Sequence, residues 1–335
     1  MKRLITGLLL VVALALILTG CSETPPASSS VTEDPVVQGP EMVEITDIYG
    51  IVSVPLNPQR VIALDNRTFQ TLEAWGIKLV AGPKPIMPEG LSYKTDDSIL
   101  DIGSHNDPNL EMIAAADPDL VIVGQRFAGR YEEIKSLVPN AAVISLNFDV
   151  SVDAESAGDN LINGFRNFTL ALGEIFDKNT EATKMVTDFD NALKAAKDAY
   201  DPDVTIMTLI VSGGTIRFAA PGSGRLWGPL YEVFDWTSSL YIDGASSDHQ
   251  GDDISIEAIA QSNPDWIFVM DRDAMNMTAE GYVPAYDIIA NAPALANIKA
   301  VVEEQMIFSP NDAYVNESIQ TFTALFKTLA DAMAK

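Results

Sequence analysis

The chain has 335 residues and sets 47 acidic against 21 basic side chains, for a net charge of −26 at neutral pH. That balance excludes nucleic acid or an anionic membrane surface as a partner held by bulk electrostatics, and it makes any arginine cluster conspicuous. One cysteine and two histidines exclude a disulfide within the chain, an iron–sulfur cluster, a zinc-thiolate site and any centre built on several imidazoles.

The chain opens with Lys2 and Arg3, then an almost wholly apolar run from Leu4 to Leu18 that is short for a membrane-spanning helix. Leu18-Thr19-Gly20-Cys21 follows, which reads residues 1–20 as a lipoprotein signal whose cleavage leaves Cys21 carrying a diacylglyceryl group. An ordinary signal peptide or a short membrane anchor is the competing reading. Residues 21–41 are rich in Ser, Pro, Thr, Glu and Val, the composition of a flexible tether.

From residue 42 the pattern is that of an α/β lobe extending to 153. Val43 to Val54 alternates apolar and polar residues around Tyr49-Gly50 and predicts a hairpin. Pro55 and Pro58 break it, and Arg60 to Asp65 reads as a first parallel strand. A helix through Phe69, Leu72 and Trp75 stops at Gly76, where glycine can take the left-handed capping conformation. Ile77 to Ala81 is the next strand; after the segment described next come a helix from about Tyr131 and a strand from Ala142 to Leu146. Strands alternating with helices predict a mainly parallel sheet.

One segment is written twice. Asn109-Leu110-Glu111-Met112-Ile113-Ala114, then Asp117-Pro118-Asp119-Leu120-Val121-Ile122-Val123, ends at Arg126. Ser255-Ile256-Glu257-Ala258-Ile259-Ala260, then Asn263-Pro264-Asp265-Trp266-Ile267-Phe268-Val269, ends at Arg272, every match offset by 146 residues without a gap. Each copy reads as a helix capped by Asn109 or Ser255, a Pro-Asp turn and a buried strand with an arginine beyond its carboxyl end. Open α/β sheets bind ligands outside the carboxyl ends of their strands, so two lobes offering a cation there predict a cleft for something anionic.

Between the copies, Ala154 to Tyr200 holds no proline. Residues 154–178 read as a connecting helix with an apolar face through Leu161, Phe165, Phe168 and Leu172, broken at Asp177-Lys178-Asn179. A second α/β lobe covers 179–335: a helix from Thr180, a strand from Val204, the second copy, a strand at Gln305 to Phe308 and a last helix from about Asn316. The expected fold is α/β, two Rossmann-like lobes with mainly parallel sheets joined by one long rigid helix. No Gly-x-Ser-x-Gly elbow, Walker loop or His-Glu-x-x-His pair occurs, so no catalysis is expected.

Beyond residue 40 the chain resembles bacterial solute-binding lipoproteins of ABC importers that take up iron–siderophore and cobalamin complexes. The resemblance rests on Arg60-Val61-Ile62-Ala63-Leu64-Asp65, on the segment from Asn109 to Val123, and on Ala220-Pro221-Gly222-Ser223-Gly224-Arg225 followed by Trp227-Gly228. It is nearest to the catecholate (enterobactin-type) siderophore-binding proteins and implies the class III periplasmic-binding-protein fold.

The resemblance implies a ligand held between Arg126, Arg225 and Arg272, with His249 and Tyr314 completing the coordination of Fe(III). Gly224 is inserted before the second arginine, and Val315-Asn316-Glu317-Ser318 stands where a glycine-rich stretch is usual. The chemistry supports the set: guanidinium groups donate to catecholate oxygens and stack on aromatic faces, and Fe(III) is a hard cation that accepts phenolate and imidazole. A tetradentate siderophore leaves two positions for His249 and Tyr314. Arg67 and Arg130 are possible secondary contacts, and His105 reads as structural or exposed.

Glu111 and Glu257 suit the first turn of a helix, where a carboxylate favours the dipole. The resemblance adds that each docks one lobe onto the permease dimer. The expected protein is therefore a monomeric, lipid-anchored, extracytoplasmic carrier of a ferric siderophore, with no permanent cofactor and no nucleic-acid partner. A hydroxamate siderophore, haem or cobalamin is the alternative ligand, and a metal-dependent surface enzyme the alternative class.

Overall fold

The computed structural model describes residues 41–334; the signal segment, Cys21 and almost all of the tether lie outside them. Among the described residues no helix is long and apolar enough to cross a membrane.

The expected hairpin pairs β1 (Met42–Asp47) with β2 (Gly50–Pro55) antiparallel. Then come β3 (Val61–Leu64), α1 (Phe69–Ala74), β4 (Leu79–Gly82), α2 (Ser92–Thr95), β5 (Leu100–Asp101), α3 (Glu111–Ala115), β6 (Leu120–Val123), α4 (Tyr131–Leu137) and β7 (Ala142–Ile144). The five strands β3 to β7 form one parallel sheet in the order β5-β4-β3-β6-β7. β3 and β6 are buried at every residue, as a parallel sheet covered on both faces requires. Alternate residues feed separate cores: Val61, Ala63, Leu120 and Ile122 on one face, Ile62, Leu64, Val121 and Val123 on the other.

The chain then runs through α5 (Ala157–Ile175) and α6 (Asn179–Ala199) into the second lobe. That lobe holds β8 (Thr205–Ser212), β9 (Thr215–Phe218), α7 (Gly228–Phe234), β10 (Thr237–Ser238), α8 (Ile256–Ser262), β11 (Trp266–Asp271), α9 (Ala285–Ala290), α10 (Lys299–Val302), β12 (Met306–Phe308) and α11 (Ile319–Met333). Its sheet runs β10-β8-β11-β12 in parallel, with β9 antiparallel against the end of β8, a pairing the sequence pattern did not predict. Met207, Leu209, Ile267 and Val269 pack on one face, Ile206, Ile210, Phe268 and Met270 on the other.

The two lobes are linked by long helices, with the break between α5 and α6 where the sequence pattern placed it. Asp177 takes a left-handed conformation, φ 51°, at that break. α5 buries Leu161, Ile162 and Phe165 in the core of the second lobe, and Phe168, Leu172 and Ile175 in a core of the first. Its face is therefore shared between lobes, while α6 returns to put Phe189, Leu193 and Ala196 into the second core.

The repeat survives as matched local chemistry. Asp117 and Asn263 both turn left-handed, at φ 45° and 43°. Asp119 accepts the Gln59 and Arg60 backbone N–H at 2.8 and 3.0 Å, and Asp265 accepts the Thr205 backbone N–H and hydroxyl at 2.7 and 2.8 Å. The caps differ. Ser255 Oγ accepts from Ala258 N at 3.1 Å, whereas the residue capping α3 is Leu110, which has no side-chain bond to give, and Asn109 acts through its backbone, donating to Ile102 and accepting from Met112.

Candidate functional site

Tyr314 lies in the turn between β12 and α11. The turn is closed by Ala313 N donating to Pro310 O at 2.9 Å and Asn316 N donating to Asp312 O at 2.7 Å. Three guanidinium groups surround the Tyr314 ring: Arg272 at 4.7 Å, Arg225 at 5.5 Å and Arg126 at 5.9 Å from its centroid. The His249 ring lies at 6.3 Å from the same ring. Five residues spread over 189 positions of sequence thus meet at one aromatic side chain.

Each arrives on a different device. Arg126 belongs to a short 3-10 turn just past β6, and its Nη2 donates to the Tyr314 carbonyl at 3.4 Å, across the lobes. Arg272 follows β11 directly, and its Nη1 donates to Ser212 Oγ at 3.2 Å at the end of β8. Arg225 sits in a loop pinned by Gly224 N to Ala220 O at 2.8 Å and Gly228 N to Gly224 O at 2.7 Å, with Trp227 fully buried beneath. A Cβ at Gly224 would lie 2.6–2.8 Å from the Ala219 and Ala220 backbone, so the extra glycine is what lets this loop close. His249 is half exposed, 52% of its side chain, in the segment before α8.

Gathering like charges here carries an electrostatic cost. Burial, then the neighbouring Arg225, push the Arg126 guanidinium below its ordinary value. Burial, then Arg126, likewise lower His105, whose Nδ1 is buried without a hydrogen-bond partner among the described residues. The negative face of the Tyr314 ring offsets part of this repulsion, at roughly 0.5–2 kcal/mol for each cation.

Three further side chains complete the surroundings. Arg67 is only 4% exposed, stacks over Phe148 at 3.9 Å, donates from Nη1 to Asn147 Oδ1 at 2.9 Å, and lies 3.9 Å from Glu317. Glu317 pairs through its other oxygen with Arg225. Asp65 is buried at the end of β3, where a Cβ on Gly124 would overlap it at 2.3 Å, and burial raises its carboxyl above the usual range. The sequence signal for Asp65 was its place at a strand's carboxyl end; Glu317 gave none beyond its position before the capping Ser318.

A cavity of about 580 Å³ opens beside this cluster, floored by Leu161, Phe165 and Phe322 and rimmed by Arg67, Arg225 and Glu317. Arg130 lies outside the cluster, paired with Glu133 at 3.2 Å. Glu111 and Glu257 are exposed at the starts of α3 and α8, and neither makes an ion pair among the described residues. Among the described residues no group of three His, Cys, Asp or Glu side chains is arranged to hold a metal ion. Chemically the arrangement can hold a planar, anionic, oxygen-rich solute and offer it one phenol and one imidazole.

The family pattern described as periplasmic binding protein matches residues 61–313. The ferric-anguibactin-binding protein FatB of Vibrio anguillarum is 30% identical over 298 residues, covering 89% of this chain and 87% of that one. The petrobactin-binding protein YclQ of Bacillus subtilis is 27% identical over 286 residues, covering 84% of each. The solved siderophore-binding protein BauB, bound to ferric iron and two acinetobactin molecules, shares the fold with a TM-score of 0.73 at 23% identity, covering 88% of this chain and all of that one.

Proposed function

This chain belongs to the periplasmic binding protein family, and we propose that its solute is a ferric siderophore of the catecholate class, handed on to an ABC importer. Membership makes it an extracytoplasmic solute-binding protein rather than an enzyme. The observation that carries the choice of ligand is the ring of Arg126, Arg225, Arg272 and His249 around Tyr314. FatB, named for ferric anguibactin, and BauB, a siderophore-binding protein holding ferric iron with acinetobactin, support a ferric siderophore as the solute, and the arginine ring alone argues for the catecholate class.

Catecholate oxygens bound to Fe(III) keep negative charge on a planar ring, which a guanidinium meets both as donor and as stacking partner. A hydroxamate complex offers less of both. Where the siderophore supplies four oxygens, His249 and Tyr314 would fill the two remaining positions on the iron. In the same reading 42–153 and 179–335 act as lobes on a connector over 154–178. Glu111 and Glu257 would dock the permease, and Cys21, lipidated, would tether the monomer to the membrane.

Tryptophan-quenching titrations with ferric catecholate, ferric hydroxamate, haem and cobalamin test the reading. Saturable quenching at sub-micromolar concentration is expected for the catecholate, weaker by at least tenfold for the others. Preference for any of the other three would overturn the ligand class.

A further inference from the structure

We propose that Glu317 sets which ferric complexes the cleft accepts, by discriminating among them on charge. The proposal rests on the siderophore reading above and concerns a residue that reading leaves without a role. Glu317 immediately precedes Ser318, whose hydroxyl accepts from Thr321 N at 3.2 Å and starts α11, so its backbone is fixed. Its side chain is 14% exposed and turns into the cleft, one oxygen on Arg225 of the second lobe and the other 3.9 Å from Nε of Arg67 in the first. That Nε is buried and has no hydrogen-bond partner among the described residues.

The pairing is uneven across the cluster. Arg225 and Arg67 share Glu317, whereas Arg126 and Arg272 have no carboxylate within ion-pair distance among the described residues. One carboxylate therefore stands at the ligand's edge and already occupies Arg225, which also rims the 580 Å³ cavity. An anionic oxygen that addresses Arg225 must displace Glu317 or share the guanidinium with it. A ligand with more negative charge also feels more repulsion from this carboxylate, whose exposure is low enough to limit screening. Glu317 thus penalises a trianionic complex more than a monoanionic one, and leaves a neutral complex nearly untouched. Among catecholate complexes the cleft is thereby tuned toward the lightly charged ones, which leave iron positions open for His249 and Tyr314.

The test compares the wild type, Glu317→Gln and Glu317→Asp against three iron complexes of known charge: a trianionic tris-catecholate, a monoanionic bis-catecholate and a neutral trihydroxamate. Glu317→Gln keeps shape and hydrogen-bonding capacity while removing charge. Affinity should rise by roughly threefold to tenfold for each unit of ligand charge, so the tris-catecholate gains most and the trihydroxamate does not change. Glu317→Asp should keep the wild-type ranking, and the gain in Glu317→Gln should shrink as salt is added. A uniform gain or loss across the three complexes would overturn the proposal and make Glu317 a residue that only positions Arg225. If the wild type binds none of them, the siderophore reading and the proposal fall together; if it binds them and the ranking does not move, only the proposal falls.

Discussion

Tyr314 serves three guanidinium groups with a single aromatic ring, at 4.7, 5.5 and 5.9 Å. Its two chemical parts are separable by substitution. Tyr314→Phe keeps the ring that the cations face but removes the phenol, so a hexadentate ferric catecholate should bind with nearly unchanged affinity. A tetradentate complex should lose the shift in its charge-transfer band that tyrosinate ligation produces, together with tenfold or more in affinity, about 1.4 kcal/mol. Tyr314→Ala should weaken both ligands, because the three guanidinium groups lose the ring they face and, with it, the fixed positions from which they meet the ligand. Visible spectra and quenching titrations of the two variants check this, and an unshifted band in the wild type would remove Tyr314 from the iron.

Among the elements, α5 depends on a contact outside itself. Its cap, Ser156 Oγ, accepts from Asp159 N at 3.2 Å, and Glu232 on α7 takes the Gly158 N–H at 2.9 Å and the Ser156 hydroxyl. The Ser156 hydroxyl, then the Gly158 N–H, hold the Glu232 carboxyl below its ordinary value. A depressed carboxylate contributes stability that is present above its unfolded-state value and is lost as pH falls through the folded one. Glu232→Gln should therefore lower stability at neutral pH by a fraction of what a buried bond would contribute, because Glu232 is exposed and solvent screens it, and the two unfolding curves should converge in acid. Thermal unfolding across pH measures it; a gap that widens toward acid would contradict the assignment. α3 and α8 each present a glutamate to solvent in the first turn. Glu111→Ala combined with Glu257→Ala should reduce uptake by cells while leaving the purified protein's siderophore affinity within twofold, and an equal loss in both assays would place these residues in the cleft or in folding.

Across the whole molecule, the lobes are joined by more than their connector. Asn66 Nδ2 donates to Val315 O at 2.7 Å, Gln70 Oε1 accepts from Asn316 and Ser318 at 3.1 and 2.5 Å, and Gln320 Nε2 donates to Thr71 at 3.0 Å. α1 of the first lobe is thereby stitched to the start of α11 in the second. Together with an α5 whose apolar face is divided between two cores, these bonds oppose a wide opening. Solution scattering with and without ferric siderophore should show a change in radius of gyration of under about 1 Å, where a broad flytrap motion would give more.

The periodicities alone determined the two α/β lobes, because a strand buried on both faces and a helix with one apolar stripe leave different marks on a sequence. The repeat likewise carried Arg126 and Arg272 to matching strand ends, since the Pro-Asp turn and the first strand residues form bonds within a few positions of one another or to the neighbouring strand. Arg225, His249 and Tyr314 came only from resemblance, for nothing local in their loops speaks of a partner. Asp65 and Glu317 were not read as site residues at all: a carboxylate shows its role only when something distant in sequence lies against it. The division of α5's apolar face between two cores and the charge pairing inside the cleft were decided by tertiary structure, because both depend on where α5, α1 and the turn before α11 meet, over separations that no local pattern encodes.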